Sequence, residues 1–132
     1  LASCCRRKGF RLVIVSNGLD FYIEKILRDI ELVEIEVFAA KTQFHPGGLT
    51  VQYIGPDGNQ LDSDFKAAYV NSFLREGYRI IYAGNGNSDI KPASQCHHIF
   101  ATGSLLAHCK QTNLDCTPFA DFHEVVRVLE LL

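Results

Sequence analysis

The sequence predicts an α/β fold: a three-layer α/β/α, Rossmann-like sandwich with a parallel sheet and a β-hairpin extension. Two observations predict it. Apolar runs that suit buried strands alternate with segments of helical period, and a pair of glycines joins two strand-like segments near the middle of the chain. Strands that alternate with helices pair in parallel, because each helix crosses over the sheet. The length of 132 residues fits one domain over residues 1–132.

The first strand and helix follow each other closely. Residues 10–16 form a continuous apolar run, which suits a strand buried on both faces, and Asn17-Gly18 makes a turn. The period then changes to i, i+3, i+4, i+7, which predicts a helix with one core face. The residues of that face are Ile23, Ile26, Leu27 and Ile30.

The hairpin extension is predicted from the next segment. Residues 35–40 are strand-like, Gly47-Gly48 turns the chain, and residues 49–53 alternate between apolar and polar side chains. This alternation is typical of a half-exposed hairpin strand.

The second half of the sequence continues the alternation of strands and helices. A helix with Phe65, Tyr69 and Phe73 on one stripe ends at Gly77. The further predicted elements are a strand over 78–83, a short helix at Pro92, a strand over 98–102, a helix over 104–110 and a final helix after Asp121. The final helix should turn Phe122, Val125, Val126 and Leu129 inward. We expect the strands at 12–16, 79–83 and 98–102 to lie side by side.

Composition excludes several function classes. The net charge is −2, and the basic residues are scattered apart from Arg6-Arg7-Lys8, which argues against a nucleic-acid partner. No apolar run approaches the roughly 20 residues of a membrane span, so no membrane partner is expected. The five cysteines are odd in number and lack a C-x-x-C motif, which favours a reduced, cytoplasmic protein.

The segment Cys96-His97-His98 could indicate zinc, with further cysteines nearby in sequence. However, adjacent histidines on a strand point to opposite faces. Ordinary buried and surface thiols are therefore the favoured interpretation.

Two polar loops follow predicted parallel strands: Ser16-Asn17-Gly18 and residues 84–89. Ligands gather at the carboxyl ends of such strands, so a site is expected at this edge of the sheet. The first loop could be an anion-binding nest or an ordinary strand-to-helix turn, for which the same residues are usual. Lys66, at the start of a helix, could balance the nearby Asp62 and Asp64 or hold an anion.

The second loop reads Gly84-Asn85-Gly86-Asn87-Ser88-Asp89. A dinucleotide-binding loop needs a third glycine where this sequence has Asp89, and a carboxylate there would repel a pyrophosphate. Hard oxygen ligands such as Asn85 and Asp89 suit magnesium instead.

In this order, Ser16 after a strand, Lys66 on a helix and the Gly84-Asn85-x-x-x-Asp89 loop resemble motifs two, three and four of the haloacid-dehalogenase-like phosphatases. The resemblance covers nearly the whole chain. It is strongest to the phosphoserine-phosphatase-like branch, including the enzymes that dephosphorylate 2-hydroxy-3-keto-5-methylthiopentenyl phosphate. It implies an α/β core, magnesium as cofactor and a small phosphorylated metabolite as substrate.

The resemblance also implies roles for single residues. Ser16 and the amides of Asn17 and Gly18 would bind the phosphoryl oxygens, and Lys66 would neutralise phosphate and the attacking carboxylate. Asn85 would take the position of a magnesium ligand, with Asp89 steadying the metal or Lys66. The family more often has Asp at the position of Asn85, and a neutral amide implies weaker metal binding.

One departure from the family is larger. The family's nucleophilic aspartate ends a strand upstream of motif two, but residues 1–15 contain no Asp, and the small cap domain is absent as well. Asp62-Ser63-Asp64 lies after motif two and cannot serve. Two interpretations follow: a phosphatase whose nucleophile comes from a segment not in this chain, or a non-catalytic module that binds phosphate or a protein.

Overall fold

Helices and strands alternate along the computed structural model, which describes residues 1–32 and 34–132. The helices are α1 (Ala2–Lys8), α2 (Asp20–Asp29), α3 (Phe65–Arg75), α4 (Ile90–Ala93), α5 (Gly103–Thr112) and α6 (Phe122–Leu129). The strands are β1 (Val13–Leu19), β2 (Glu36–His45), β3 (Gly48–Gln52), β4 (Ile81–Gly84), β5 (His98–Ala101) and β6 (Thr117–Pro118). None of the described helices combines the length and apolar character that crossing a bilayer requires.

The chain divides into two compact units. One is Leu12–Tyr69, and the other combines Leu1–Arg11 with Val70–Leu132. Helix α3 begins in the first unit and ends in the second. The assignment of residues 1–132 to one domain stays a prediction.

The unit Leu12–Tyr69 contains a sheet in the order β1-β2-β3. The first half of β2 pairs in parallel with β1, with Val15 opposite Phe38. The second half of β2 pairs antiparallel with β3, with Thr42 opposite Val51. One long strand thus carries both the parallel pairing and the hairpin, so a hairpin extension is present. The expectation that residues 35–40 form its antiparallel strand is wrong, since the hairpin pairs residues 41–45 with 48–52 while residues 36–40 pair in parallel with β1.

Aromatic rings form the core of this unit and fix the start of α3. Tyr69 stacks on Phe38 of β2 with ring centroids 4.5 Å apart, and Phe65 meets Tyr69 edge-on at 5.1 Å. The Tyr69 hydroxyl donates to the Ile54 carbonyl at 2.8 Å. Because Phe65 and Tyr69 are both buried, Lys66 between them stands on a well-anchored turn.

Helix α2 departs from its predicted packing. It forms where the period placed it, but Ile26 is 46% exposed and Ile30 57%, and none of its residues is fully buried. The helix contacts β1 and β2, which cover only part of its apolar stripe. The expectation that this stripe is a core face is therefore wrong for Ile26 and Ile30.

The second unit contains a parallel sheet in the order β4-β5-β6. Tyr82 lies opposite Ile99, and Phe100 lies opposite Thr117. Phe100 is completely buried and packs with Val125 and Leu129 of α6. The predicted inward position of Phe122 is wrong, since 52% of it is exposed at the first turn of α6.

The α/β class with parallel strands is confirmed, but one predicted neighbour is not. Residues 79–83 and 98–102 do lie side by side, whereas β1 belongs to the other sheet and, within residues 1–32 and 34–132, pairs with β2 alone. An apolar run identifies a strand but carries no information about which strand lies beside it.

Candidate functional site

The segment Ser16-Asn17-Gly18 was predicted as a turn after the first strand, but it lies inside β1, where the pairing with β2 is irregular between Val15 and Leu19. This irregular loop within β1 is closed by its own hydrogen bonds. Ser16 Oγ accepts from the Gly18 amide at 3.0 Å, and the Tyr53 hydroxyl donates to the Asn17 carbonyl at 2.9 Å. A Cβ added to Gly18 would lie 3.2 Å from Ser16 Oγ and 3.3 Å from Ile23 Cδ1, which leaves little room for a side chain. The Gly18 amide is therefore engaged within the loop, while the Ser16 hydroxyl keeps a proton that it can donate.

A cavity of about 200 Å³ lies beside this loop, within the unit Leu12–Tyr69. It is lined by Asn17, Tyr53, Leu61, Asp62, Ser63, Asp64 and Phe65. Lys66 follows these residues directly and is half-buried. The predicted anion loop and the segment that leads into Lys66 thus border one cavity, whose rim also carries the carboxylates of Asp62 and Asp64.

The second loop is organised around a buried carboxylate. Asp89 is only 3% exposed. Its Oδ2 accepts from the amides of Asn85 and Gly86, each at 2.9 Å, and its Oδ1 accepts from the Tyr82 hydroxyl at 2.5 Å. Three donors compensate the charge of a carboxylate that is removed from water. Asp89 therefore holds the loop in its conformation.

Two glycines make this arrangement possible. A Cβ on Gly84 would lie 2.6 Å from Asp89 Cγ, so a side chain there would displace the carboxylate. A Cβ on Gly103 would lie 2.6 Å from the Asn85 carbonyl oxygen, and Gly103 has a positive φ of 55°. The following amide, of Ser104, donates to the same carbonyl at 3.0 Å. The start of α5 therefore fixes the loop from its other side.

Among residues 1–32 and 34–132, the hydrogen bonds that hold Asn85 come from its backbone. Its amide donates to Asp89 and its carbonyl accepts from Ser104, while the residue itself is exposed. Its side-chain oxygen is a hard ligand of the type that magnesium prefers. Within residues 1–32 and 34–132, no three His, Cys, Asp or Glu side chains come together as a metal site. Asn85 thus fits one position of a magnesium shell that keeps several waters.

The histidines of the Cys96-His97-His98 segment form hydrogen bonds at the β4-β5-β6 sheet. His97 Nδ1 accepts from the Ile80 amide at 3.1 Å, and His98 Nε2 bonds Thr117 Oγ1 at 3.1 Å. Burial raises the pKa of the Cys96 thiol to about 12, so it remains a protonated thiol near neutral pH. These contacts favour structural roles in the sheet over zinc ligation for the two histidines, and Cys96 is a partly buried thiol.

The predicted site residues are divided between the two units. Ser16, Asn17, Gly18 and Lys66 belong to Leu12–Tyr69, and Asn85 and Asp89 belong to the other unit. Their convergence in one site stays a prediction. Sequence reasoning missed Tyr53 and Tyr82, whose hydroxyls hold the two loops. Tyr82 carries the one hydroxyl of an otherwise apolar strand, two positions before Gly84, and this could have indicated a role in the loop. Nothing in the sequence indicated a comparable role for Tyr53.

A comparison against known families finds a match over most of the chain. The model of the haloacid dehalogenase-like hydrolases matches residues 1–94, a stretch that contains all six predicted site residues. The chain belongs to this family. Among solved structures, that of a phosphoserine phosphatase in apo form superposes with a TM-score of 0.67 at 18% identity, covering 96% of this chain and 62% of that one. This likeness supports the α/β fold.

Curated relatives match over nearly the whole chain. The 2-hydroxy-3-keto-5-methylthiopentenyl-1-phosphate phosphatase of Brevibacillus brevis is 24% identical over 131 residues, covering 97% of this chain and 59% of the relative. The protein of the same name from Geobacillus kaustophilus is 29% identical over 132 residues, a match that covers 95% of this chain and 58% of that protein. The chain thus spans about three fifths of the length of these relatives.

Proposed function

We propose that this chain is the phosphate-positioning part of a cytoplasmic, magnesium-dependent phosphomonoester hydrolase that acts on a small phosphorylated metabolite. One observation carries the proposal. In a chain of this family, the loop after β4 is fixed by Asp89 and Ser104 while Asn85 stays exposed at the carboxyl end of the strand. A rigid loop that presents an oxygen ligand fits a preorganised binding site.

The first loop and Lys66 would hold the phosphoryl group. Ser16 Oγ already accepts from the Gly18 amide, so its own proton is available for a phosphoryl oxygen. The Asn17 amide and, once Ser16 turns to the substrate, the Gly18 amide would supply further donors. Lys66 would neutralise the phosphate and the carboxylate that attacks it. These groups lower the barrier by placing charge opposite the developing negative charge.

Magnesium would be held on this chain by the Asn85 side-chain oxygen. Asp89 would act behind it by fixing the loop, with its carboxylate already engaged by three donors. When bound, magnesium supplies positive charge that draws phosphoryl oxygens into place and offsets their repulsion of a nucleophile.

The nucleophile would come from a segment not in this chain. A carboxylate oxygen of an aspartate attacks phosphorus, the bond to the leaving oxygen breaks, and a second carboxylic acid protonates that oxygen. Water then cleaves the aspartyl-phosphate, which releases inorganic phosphate and restores the carboxylate. Two facts support this assignment: residues 1–15 contain no Asp, and β1 pairs on one edge only within the described residues, which leaves backbone groups for a further strand.

The test is phosphate release by the full-length protein from a panel of small phosphomonoesters, with magnesium and with EDTA. Lys66→Ala should reduce the rate at least 100-fold, because the phosphate loses its cation. Lys25→Ala is the matched control, since Lys25 pairs with Asp29 on the surface of α2. Equal rates for the two variants would exclude the role proposed for Lys66.

The second candidate function is a non-catalytic module that binds phosphate or a protein. The absence of Asp from residues 1–15 favours it. A full-length protein that binds phosphate and never releases it from any ester would establish this alternative.

A further inference from the structure

Tyr82 has a contact that the roles described so far do not use. It lies on β4, partly buried against the cluster that contains Ile99 and Leu105, and its hydroxyl reaches Asp89 Oδ1 at 2.5 Å. The hydroxyl and the carboxylate are both withdrawn from bulk water. A hydrogen bond to an ionised group in such surroundings is stronger than one between neutral groups.

This contact fixes the orientation of the Asp89 carboxylate. Oδ2 can accept from the amides of Asn85 and Gly86 together only in one rotation of the carboxylate group, and the Tyr82 hydroxyl holds Oδ1 in that rotation. The carboxylate lies against Gly84, in the space that a Cβ on Gly84 would need. The position of the Asn85 backbone thus depends on a hydroxyl on the preceding strand.

We propose that Tyr82 is a positioning residue of the candidate site, acting through Asp89 to hold the Asn85 loop in the geometry that receives magnesium and phosphate. Its effect on the metal rests on the proposed function, whereas its effect on the loop does not. Burial, together with the bond to Asp89, raises the pKa of the Tyr82 hydroxyl, so it remains a donor throughout the neutral range.

The test compares three variants of the full-length protein: Tyr82→Phe, Asp89→Asn and the double variant. Tyr82→Phe keeps the ring and removes only the hydroxyl. We expect amide hydrogen exchange at Asn85 and Gly86 to accelerate about ten-fold, the factor for one lost hydrogen bond to a charged group. The magnesium concentration for half-maximal activity should rise several-fold. Tyr22→Phe, at a residue 62% exposed on α2, is the control and should change neither.

The double variant separates positioning from general support of the fold. If Tyr82 acts through Asp89, Tyr82→Phe adds nothing to exchange at Asn85 in the Asp89→Asn background. An unchanged exchange rate in Tyr82→Phe, or the same acceleration in both backgrounds, would overturn the proposal. The two proposals fail separately. Faster exchange in a protein without phosphatase activity refutes only the proposed function, and an active protein with unchanged exchange refutes only the role of Tyr82.

Discussion

Gly84 and Asp89 show how one residue makes room for another. The β4 strand ends at Gly84, and the Asp89 carboxylate occupies the space where a Cβ would be. Gly84→Ala should therefore lower the free energy of unfolding by about 1–3 kcal/mol, the usual cost of overpacking. Gly47→Ala is the control, because nothing lies within 4 Å of a Cβ there. Urea unfolding of both variants gives the comparison, and equal midpoints would show that the loop adapts freely.

Asn85 sets the charge of the candidate metal position. Asn85→Asp should tighten magnesium binding several-fold, because it replaces a neutral oxygen ligand with an anionic one. The measurement is a magnesium titration of the full-length protein by calorimetry. Asn87→Asp, an exposed change in the same loop, controls for charge alone. Equal tightening by the two substitutions would mean that Asn85 is not a ligand.

Cys96 gives a pH dependence with a definite sign. Its folded pKa is raised to about 12 by burial, from an ordinary value of 9.0, so the unfolded chain loses this proton first. The corresponding stability is fully present below pH 9 and is lost as the pH rises toward 12. Cys96→Ser keeps a donor for the Pro92 carbonyl but does not ionise in this range. The free energy of unfolding should fall less steeply above pH 9 in Cys96→Ser, and parallel curves would contradict the assignment.

At the residue scale, polar loops were predictable and their supports were not. Small polar residues after an apolar run indicate Ser16 and Asn85 directly. Tyr82 lies in β4 and Tyr53 directly follows β3. At such positions an aromatic residue is ordinarily part of the core. Only the structure shows that their hydroxyls turn to Asn17 and Asp89.

Among the elements, α6 begins with the cap that its sequence predicts. Asp121 Oδ1 accepts from the Glu124 amide at 3.1 Å, and Glu124 Oε2 accepts from the Ala120 amide at 2.9 Å. Asp121→Ala should lower the free energy of unfolding by about 1 kcal/mol. Asp115→Ala, an exposed loop change, is the control. Thermal unfolding of the two variants measures the difference, and equal melting temperatures would show that the cap contributes nothing.

Periodic elements were recovered from the sequence, and short or charged ones were not. Helix α3 follows from the Phe65-Tyr69-Phe73 stripe, and it ends at Arg75, two residues before Gly77, which takes a positive φ of 92°. Helix α1 was not predicted, because the charges of Arg6-Arg7-Lys8 indicate a segment exposed to solvent. In the structure, Cys4 and Cys5 of this helix are buried. Strand β6 has only two residues, too few for any period.

For the molecule as a whole, the family and the α/β class could be predicted from the order of the motifs, because the spacing of strands and polar loops can be read along the chain. The strand that lies beside β1 could not be predicted from the sequence, since strand pairing depends on long-range contacts that leave no local period. Substrate identity could not be predicted either. The residues proposed to hold and neutralise a phosphoryl group would make the same contacts with every phosphomonoester.

In the proposed function this chain positions phosphate and the nucleophile lies outside it. The most direct measurement is phosphate release by the full-length protein and by the 132-residue chain, each with magnesium and with EDTA. We expect turnover only by the full-length protein and only with magnesium, while the 132-residue chain binds inorganic phosphate without hydrolysing any ester. Magnesium-dependent turnover by the 132-residue chain, shown by mass spectrometry to carry no additional segment, would contradict this proposal.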